Sequence, residues 1–270
     1  MISKKNLKNI ILAGIDRDIV LFEDMIDTEN IETEYVNEYR FISDEARKFI
    51  DHNFESKQGK AKELVDRGIL GLTAFDFYGG KIFINFEKDS YKTYLATLEP
   101  EYREYIAKEN FFIVPISTID IVVTKDKKII INRTEKGQLN VICGLPDSGD
   151  VVAEKIDFVN YFLREITGKI GNLYLFDAKL LGIFKSDRCF LVVRHSTTLY
   201  SREVEEIYGD NIRNGVVPRD IGPIDFIRDR EDDIGEAIKS SNFSRETRSA
   251  FKFYIKNIFH NYKYLNTKIE

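Results

Sequence analysis

The chain has 270 residues, of which 43% are hydrophobic and 31% are charged, and its formal net charge is −5. This composition is typical of a globular protein that buries a substantial core. Positive and negative charges are mixed along the chain, which excludes the basic surface typical of nucleic-acid partners, and the longest apolar runs are too short to span a bilayer.

The N-terminal part of the chain, residues 1–110, predicts a smaller α+β region. Apolar runs at 7–13 and 18–22 indicate a strand pair around Gly14, and the acidic stretch 23–39 lacks periodicity, which predicts a loop. N-caps, apolar runs and helix breakers predict further elements, namely helices at 43–54, 60–67, 90–98 and 101–108 and a strand at 81–87. We place the end of this region at residue 110, where the pattern changes without a flexible linker.

From residue 111 to residue 270, strands surround one loop-and-helix element. The predicted strands lie at 117–124, 128–134, 139–143, 173–185, 188–197 and 224–228, and the predicted helices at 153–169, 201–208, 231–240 and 244–263. This order predicts an α+β fold, specifically an α/β/α sandwich with a mixed sheet. Apolar residues of the last helix recur at helical spacing, which favours packing on the domain or in a homodimer over membrane binding.

The two cysteines indicate the compartment. Cys143 and Cys189 lie in apolar segments and have neither metal-ligand spacing nor the density of a disulfide framework. We therefore expect buried free thiols and a reducing, cytoplasmic environment.

The predicted helix at 153–169 carries the clearest functional pattern. It continues through Arg164-Glu165-Ile166 to Gly168 and Lys169, and it follows the turn that begins at Gly144. Its apolar residues form one stripe, with Glu165 and Lys169 on the flank of that stripe, one turn apart: Phe158, Val159, Phe162, Leu163 and Ile166.

This loop and helix resemble the Nudix signature, a glycine turn followed by a helix that reads Arg-Glu-apolar-x-Glu-Glu. Gly144, Arg164 and Glu165 match the pattern, whereas Gly168 and Lys169 replace its last two glutamates. Glutamates at these spacings share one helix face and can hold Mg²⁺, which neutralises a diphosphate and activates water. The two missing carboxylates therefore count against ordinary metal catalysis.

The resemblance implies a role for each matching residue. Glu165 would be the surviving ligand of Mg²⁺ and a catalytic residue, and Arg164 would orient the signature segment. Gly144 would allow a close turn beside the substrate, and Arg133 would face its phosphate from a neighbouring strand. Arg194 alternates with His195 along a predicted strand, so that one of the two can face a cleft, although a core or surface position also explains each. We take Arg194 as a further substrate-binding residue.

Lys169 has two interpretations. It can form an ordinary ion pair with Glu165, worth a few tenths of a kcal/mol, or it can supply to a phosphate the charge that a metal supplies in relatives. Replacement carboxylates could come from the acids that follow Gly144 or from those at 203–206, although solvated surface acids also explain both groups. The acids considered are Asp147, Asp150, Glu154, Glu203, Glu205 and Glu206.

Other segments resemble the UDP-glucose and UDP-galactose pyrophosphatase branch of the Nudix superfamily. They are Arg67 to Thr73, Leu180 to Ile183, Phe190 to Val193 and Ser201 to Val204. This resemblance covers about residues 43–260 and implies that a nucleoside diphosphate sugar is cleaved to a nucleoside monophosphate and a sugar phosphate. Two alternatives stay open: a catalytically inactive Nudix-fold module that binds a nucleotide or a protein, and a hydrolase with a relocated metal site.

Overall fold

A computed structural model describes residues 19–36, 42–59, 65–101, 113–134, 137–217 and 222–260. The predicted strand at 7–13 lies outside the described residues. So do residues 102–108 of the predicted helix at 101–108 and residues 60–64 of the predicted helix at 60–67.

The elements of the described chain follow in order. The strands are β1 Ile19–Phe22, β2 Ile26–Asp27, β3 Ile31–Tyr35, β4 Gly68–Tyr78, β5 Lys81–Ser90, β6 Ile116–Val123, β7 Lys128–Arg133, β8 Leu139–Asn140, β9 Ile142–Gly144, β10 Val151–Val152, β11 Lys155–Ile156, β12 Leu175–Lys185, β13 Cys189–Thr197 and β14 Ile224–Arg228. The helices are α1 Asp44–Gln58, α2 Tyr91–Thr97, α3 Phe158–Lys169, α4 Ser201–Arg213, α5 Glu231–Ser240 and α6 Arg245–Tyr254, and a π-helical segment, Ile255–His260, continues α6.

A mixed sheet forms the centre of the structure. Its strand order is β1-β12-β13-β6-β7-β14, and β2, β8 and β9 pair with β12, β7 and β6. Strands β13 and β6 run parallel and the other pairs are antiparallel. Every residue of β6 is buried, as expected for a central strand with both faces covered.

Helices cover both faces of this sheet. Helices α3 and α4 pack through Ile166 and Val204 on the face that bears Val122 and Ile130. Helices α5 and α6 pack on the opposite face through apolar side chains such as Phe251. The predicted α/β/α sandwich with a mixed sheet is therefore confirmed.

The N-terminal part forms a second, three-stranded sheet in the order β3-β5-β4, and its apolar side chains share a core with α1, α2 and the start of α3. The predicted loop at 23–39 is wrong, because β2 and β3 lie in this stretch. Strands β1 and β2 pair with β12, so residues before 110 also contribute to the main sheet. The boundary at 110 stays a prediction.

Helix α3 begins later than the sequence suggests. Residues 151–156 form the β10–β11 hairpin, whose turn residues Ala153 and Glu154 have φ values of 48° and 64°. Asp157 then caps α3 by accepting a hydrogen bond from the Asn160 backbone N–H at 3.1 Å. The expected start at residue 153 is therefore wrong, and the capping aspartate fixes the real one.

Both cysteines are free thiols; Cys189 is buried and Cys143 is half-buried. Among the residues that the structure describes, no helix is long and apolar enough to cross a membrane.

Candidate active site

The buried stripe of α3 determines where Glu165 points. Phe158, Tyr161, Phe162 and Ile166 are buried, whereas Val159 and Leu163, which were expected in the stripe, are 66% and 39% exposed. Tyr161 takes their place because the helix lies rotated towards β6 and β9, where its hydroxyl finds a polar partner. Glu165, one turn after Tyr161, therefore faces the backbone of β9.

Gly144 lies directly under the carboxyl group of Glu165. A Cβ atom added at Gly144 would lie 2.6 Å from Glu165 Cδ and would also overlap the hydroxyl of Tyr161. Glycine at this position therefore permits the close approach of α3 to β9. Burial, together with the charges of Asp120 and Glu165, raises the pKa of Tyr161, so this hydroxyl stays protonated.

Lys169 lies between Glu165 and the strand. Its Nζ is 3.4 Å from Glu165 Oε2 and donates a hydrogen bond to the carbonyl oxygen of Cys143. The two side chains are 25% and 19% exposed, so solvent partly screens the pair. The ion pair expected from the i,i+4 spacing is present, and it sets a positive charge next to the surviving glutamate.

Arg164 binds the acids of the preceding loop. Its Nη1 is 2.7 Å from Asp150 Oδ1 and 3.7 Å from Asp147 Oδ2, and its Nη2 is 3.4 Å from Glu165 Oε1. Asp150 also accepts a hydrogen bond from the Asp147 backbone N–H at 2.8 Å. Burial raises the pKa of Asp150, while the hydrogen bond and Arg164 oppose that shift. These loop acids therefore hold the loop on the helix.

Mg²⁺ does not fit the residues around Glu165. Within the described ranges, no group of three or more His, Cys, Asp or Glu side chains is placed to hold a metal ion. The Glu165 carboxylate already has Lys169 and Arg164 at 3.4 Å each, and a divalent cation would have to displace at least one of them.

A buried polar chain lies beneath α3. Tyr161 Oη is 2.9 Å from Thr118 Oγ1, which donates to Asp120 Oδ2 at 2.9 Å, and Asp120 Oδ1 is 2.8 Å from His195 Nε2. The His195 ring packs edge-on against Phe162, with centroids 4.9 Å apart. This hydrogen-bonded network was not expected from the sequence, where its signals are an aspartate within the apolar strand β6 and a histidine within β13.

A cavity of about 360 Å³ opens beside Lys169. It is bordered by α3, the β8–β9 segment, the β12–β13 turn and the start of α6, and its polar lining consists of Asn132, Gln138, Asn140, Lys169, Asp187, Arg188, Ser244, Glu246 and Thr247. The buried Oδ1 atom of Asn132 has no hydrogen-bond partner among the described residues, so an acceptor is available at the wall.

The N-terminal region positions Arg188 in this cavity. Tyr94 of α2 is buried and donates a hydrogen bond to Asp187 Oδ2 at 2.6 Å. Its hydroxyl also accepts one from Arg188 Nε at 3.1 Å, and the guanidinium lies 5.5 Å from its ring centroid. The cavity wall therefore depends on a residue 75 positions before Lys169 in the sequence.

The structure does not bring Arg133 and Arg194 to Glu165. Arg133 is exposed at the end of β7, 3.5 Å from Asp225 Oδ2. Arg194 points to the face of the sheet covered by α6, opposite to α3, and lies 3.1 Å from Asp177 Oδ2. Of the expected site residues, Gly144, Arg164, Glu165 and Lys169 lie together.

The remaining candidate acids have structural positions. Glu154 lies in the β10–β11 turn, and Glu203 accepts a hydrogen bond from the Tyr200 backbone N–H at the start of α4. Glu205 is exposed, and Glu206 accepts a hydrogen bond from Arg202 at 3.1 Å. The interpretation of these residues as surface acids fits their surroundings.

Comparison with known proteins gives likenesses among solved structures. No family model and no curated protein matches the sequence. The chain is similar to the crystal structure of Tm1382, named as a candidate Nudix hydrolase, with 13% identity and a TM-score of 0.37 over 52% of this chain and 70% of that chain. It is also similar to a Nudix hydrolase from Nitrosomonas europaea, with 14% identity and a TM-score of 0.35 over 52% of this chain and 86% of that chain.

A Nudix-family hydrolase from Clostridium perfringens is similar at 13% identity and a TM-score of 0.34, over 52% of this chain and 97% of that chain. With TM-scores this low, the fold assignment rests on the strand order and on the helices that cover both sheet faces.

Proposed function

We propose that this chain is a Nudix-type domain that binds a nucleoside diphosphate-linked small molecule in the Lys169 cavity, with Lys169 supplying the positive charge to the diphosphate. The observation that carries this proposal is the position of Lys169. Its Nζ bridges the Glu165 carboxylate and the Cys143 carbonyl at the cavity wall. A lysine there offers charge without a metal.

The polar lining supports a ligand with two chemically distinct parts. Lys169 and Arg188 can contact the phosphate oxygens, since ammonium and guanidinium groups both bind them. Asn132, Asn140 and Glu246 offer amide and carboxylate groups that suit sugar hydroxyls or a base edge. The volume is at the lower end of the range for small-molecule sites.

Cleavage of the pyrophosphate bond is the second candidate function. It is favoured by Glu165, which is retained beside the Gly144 turn and is still 19% exposed. Because Lys169 and Arg164 neutralise this carboxylate, we propose that binding does not need Mg²⁺ and that any hydrolysis is slow. A homodimer and a cytoplasmic location stay predictions.

Calorimetric titration with UDP-glucose and UDP-galactose tests the proposal. We expect the same dissociation constant in EDTA and in Mg²⁺, because Lys169 replaces the metal charge. Binding that appears only when Mg²⁺ or Mn²⁺ is added would refute a metal-free site.

An assay that detects the UMP and sugar phosphate formed from UDP-glucose and UDP-galactose separates binding from hydrolysis, because cleavage of their pyrophosphate bond releases no inorganic phosphate. We expect no turnover that depends on Glu165, so wild type and Glu165→Gln should be equally slow. Turnover that the substitution abolishes would establish the second candidate in place of the first.

A further inference from the structure

A second cleft, of about 430 Å³, lies at the opposite end of β6 and β13 and shares no lining residue with the Lys169 cavity. It is formed by the β6–β7 turn, the end of β13 and the irregular part of β12 around Asp177. Its size is in the range of small-molecule sites.

Three cationic side chains line this cleft. Lys125 and Lys127 are exposed on the β6–β7 turn, and Arg194 lies at the base with a side chain only 14% exposed. The buried Nε of Arg194 has no hydrogen-bond partner within the described residues. A partly buried guanidinium flanked by two exposed ammonium groups suits a polyanion.

The acids near the cleft are already engaged. Asp177 lies 3.1 Å from Arg194 Nη1 and 3.5 Å from Lys179 Nζ, so two cations share its charge. Asp229 accepts a hydrogen bond from Tyr254 Oη at 2.7 Å, behind Arg194. The Lys125 ammonium lies 4.7 Å from the centroid of the Tyr200 ring, a contact that leaves its charge available, so both lysines of the turn can attract an anion.

Hydroxyl groups and one aromatic ring complete the lining. Ser196 and Thr198 follow Arg194 on the same segment, and their hydroxyls can donate to phosphate oxygens. Phe176 lines the cleft and is 47% exposed, although large apolar side chains are usually buried. An exposed ring beside cations is a stacking surface for a base.

We infer that this cleft is a binding site for a phosphate-bearing small molecule, with Lys125, Lys127 and Arg194 as its phosphate contacts. It is independent of the proposed function, and a diphosphate group alone is enough to test it. A nucleoside diphosphate will bind more tightly than inorganic pyrophosphate if its base stacks on Phe176.

The experiment is a calorimetric titration with inorganic pyrophosphate and with ADP in the Lys169→Met background, so that the first cavity contributes little. Lys125→Gln with Lys127→Asn removes two charges, and asparagine tolerates the φ of 59° at residue 127. Lys239→Gln with Lys252→Gln is the control, because it makes the same charge change at exposed helix positions.

We expect the first pair to weaken pyrophosphate binding about tenfold, as the loss of two exposed ion pairs implies, and the control pair to leave it unchanged. If both double variants weaken pyrophosphate binding equally, the effect comes from net charge alone, and that result would overturn the site. Absence of any binding of pyrophosphate or ADP in the Lys169→Met background would also overturn it. If ADP binds more tightly than pyrophosphate and Phe176→Ala removes that difference, the base of ADP stacks on the Phe176 ring.

Discussion

Gly144→Ala is the most direct structural test of how α3 meets β9. The new methyl group would overlap the Glu165 carboxyl and the Tyr161 hydroxyl. Glu165 can rotate away, but it then weakens its ion pair with Lys169, a loss of about 0.2–0.5 kcal/mol. Tyr161 cannot rotate away, because it is fully buried and bonded to Thr118 at 2.9 Å.

The expected magnitude follows from these two responses. Overpacking in a rigid position costs about 1–3 kcal/mol, and replacing glycine returns about 0.5–1 kcal/mol through the unfolded chain. Together with the weakened ion pair, these values imply that Gly144→Ala lowers the free energy of unfolding by roughly 0.2–3 kcal/mol. The centre of that range, about 1.5 kcal/mol, corresponds to a fall in Tm of roughly 3–6 °C for a domain of this size.

Urea unfolding followed by circular dichroism measures this difference. Gly168→Ala is the matched control, because a Cβ at that position would meet no heavy atom within 4 Å among the described residues, apart from its chain neighbours and the backbone of its own helix; it should raise stability by up to about 1 kcal/mol. In the double variant with Tyr161→Phe, part of the Gly144→Ala penalty should disappear, since the overlapping hydroxyl is gone. An unfolding free energy of Gly144→Ala equal to that of wild type would refute the close contact.

Two further substitutions test the β6–β7 turn and the wall of the Lys169 cavity. Burial raises the pKa of Asp126, but hydrogen bonds from Ser201 and Thr124 outweigh this effect and hold that pKa below its usual value. The ionised Asp126 carboxylate therefore stabilises the folded state above the unfolded pKa of about 3.9, and this stabilisation is lost as the pH falls below that value. Asp126→Asn should remove this pH dependence from urea unfolding curves, and an unchanged slope between wild type and variant below pH 4 (roughly the unfolded pKa) would contradict the assignment. Tyr94→Phe should lower stability by about 1 kcal/mol and weaken UDP-glucose binding through a less ordered Arg188; unchanged affinity would remove Arg188 from the site.

Much of the fold could be predicted from the sequence because its signals are local. The strands β12, β13 and β14 are apolar segments between turn residues. The N-caps of α1 and α6 are serines that accept backbone hydrogen bonds. The β10–β11 hairpin could not be predicted, because its turn uses Ala153 and Glu154 at positive φ in place of glycine or asparagine.

The site was predictable only where its residues belong to the turn and helix of one short sequence pattern. The Glu165–Lys169 pair follows from the i,i+4 spacing, and Gly144 from its turn. The position of Arg188 depends on its contact with Tyr94, and the Asp120–His195 pair depends on the pairing of two parallel strands. No local sequence pattern encodes either contact. Arg194 was expected near the diphosphate, but its strand position turns it to the other sheet face.

The affinity of Lys169→Met for UDP-glucose in EDTA tests the central claim most directly. Methionine keeps the length of the side chain and removes its charge, and Lys239→Met provides the control at an exposed position. We expect a loss of about tenfold or more, because a charged hydrogen bond is worth about 1.5–3 kcal/mol, with no change in the control. A dissociation constant for Lys169→Met equal to that of wild type would contradict the proposal that this lysine takes the place of the metal.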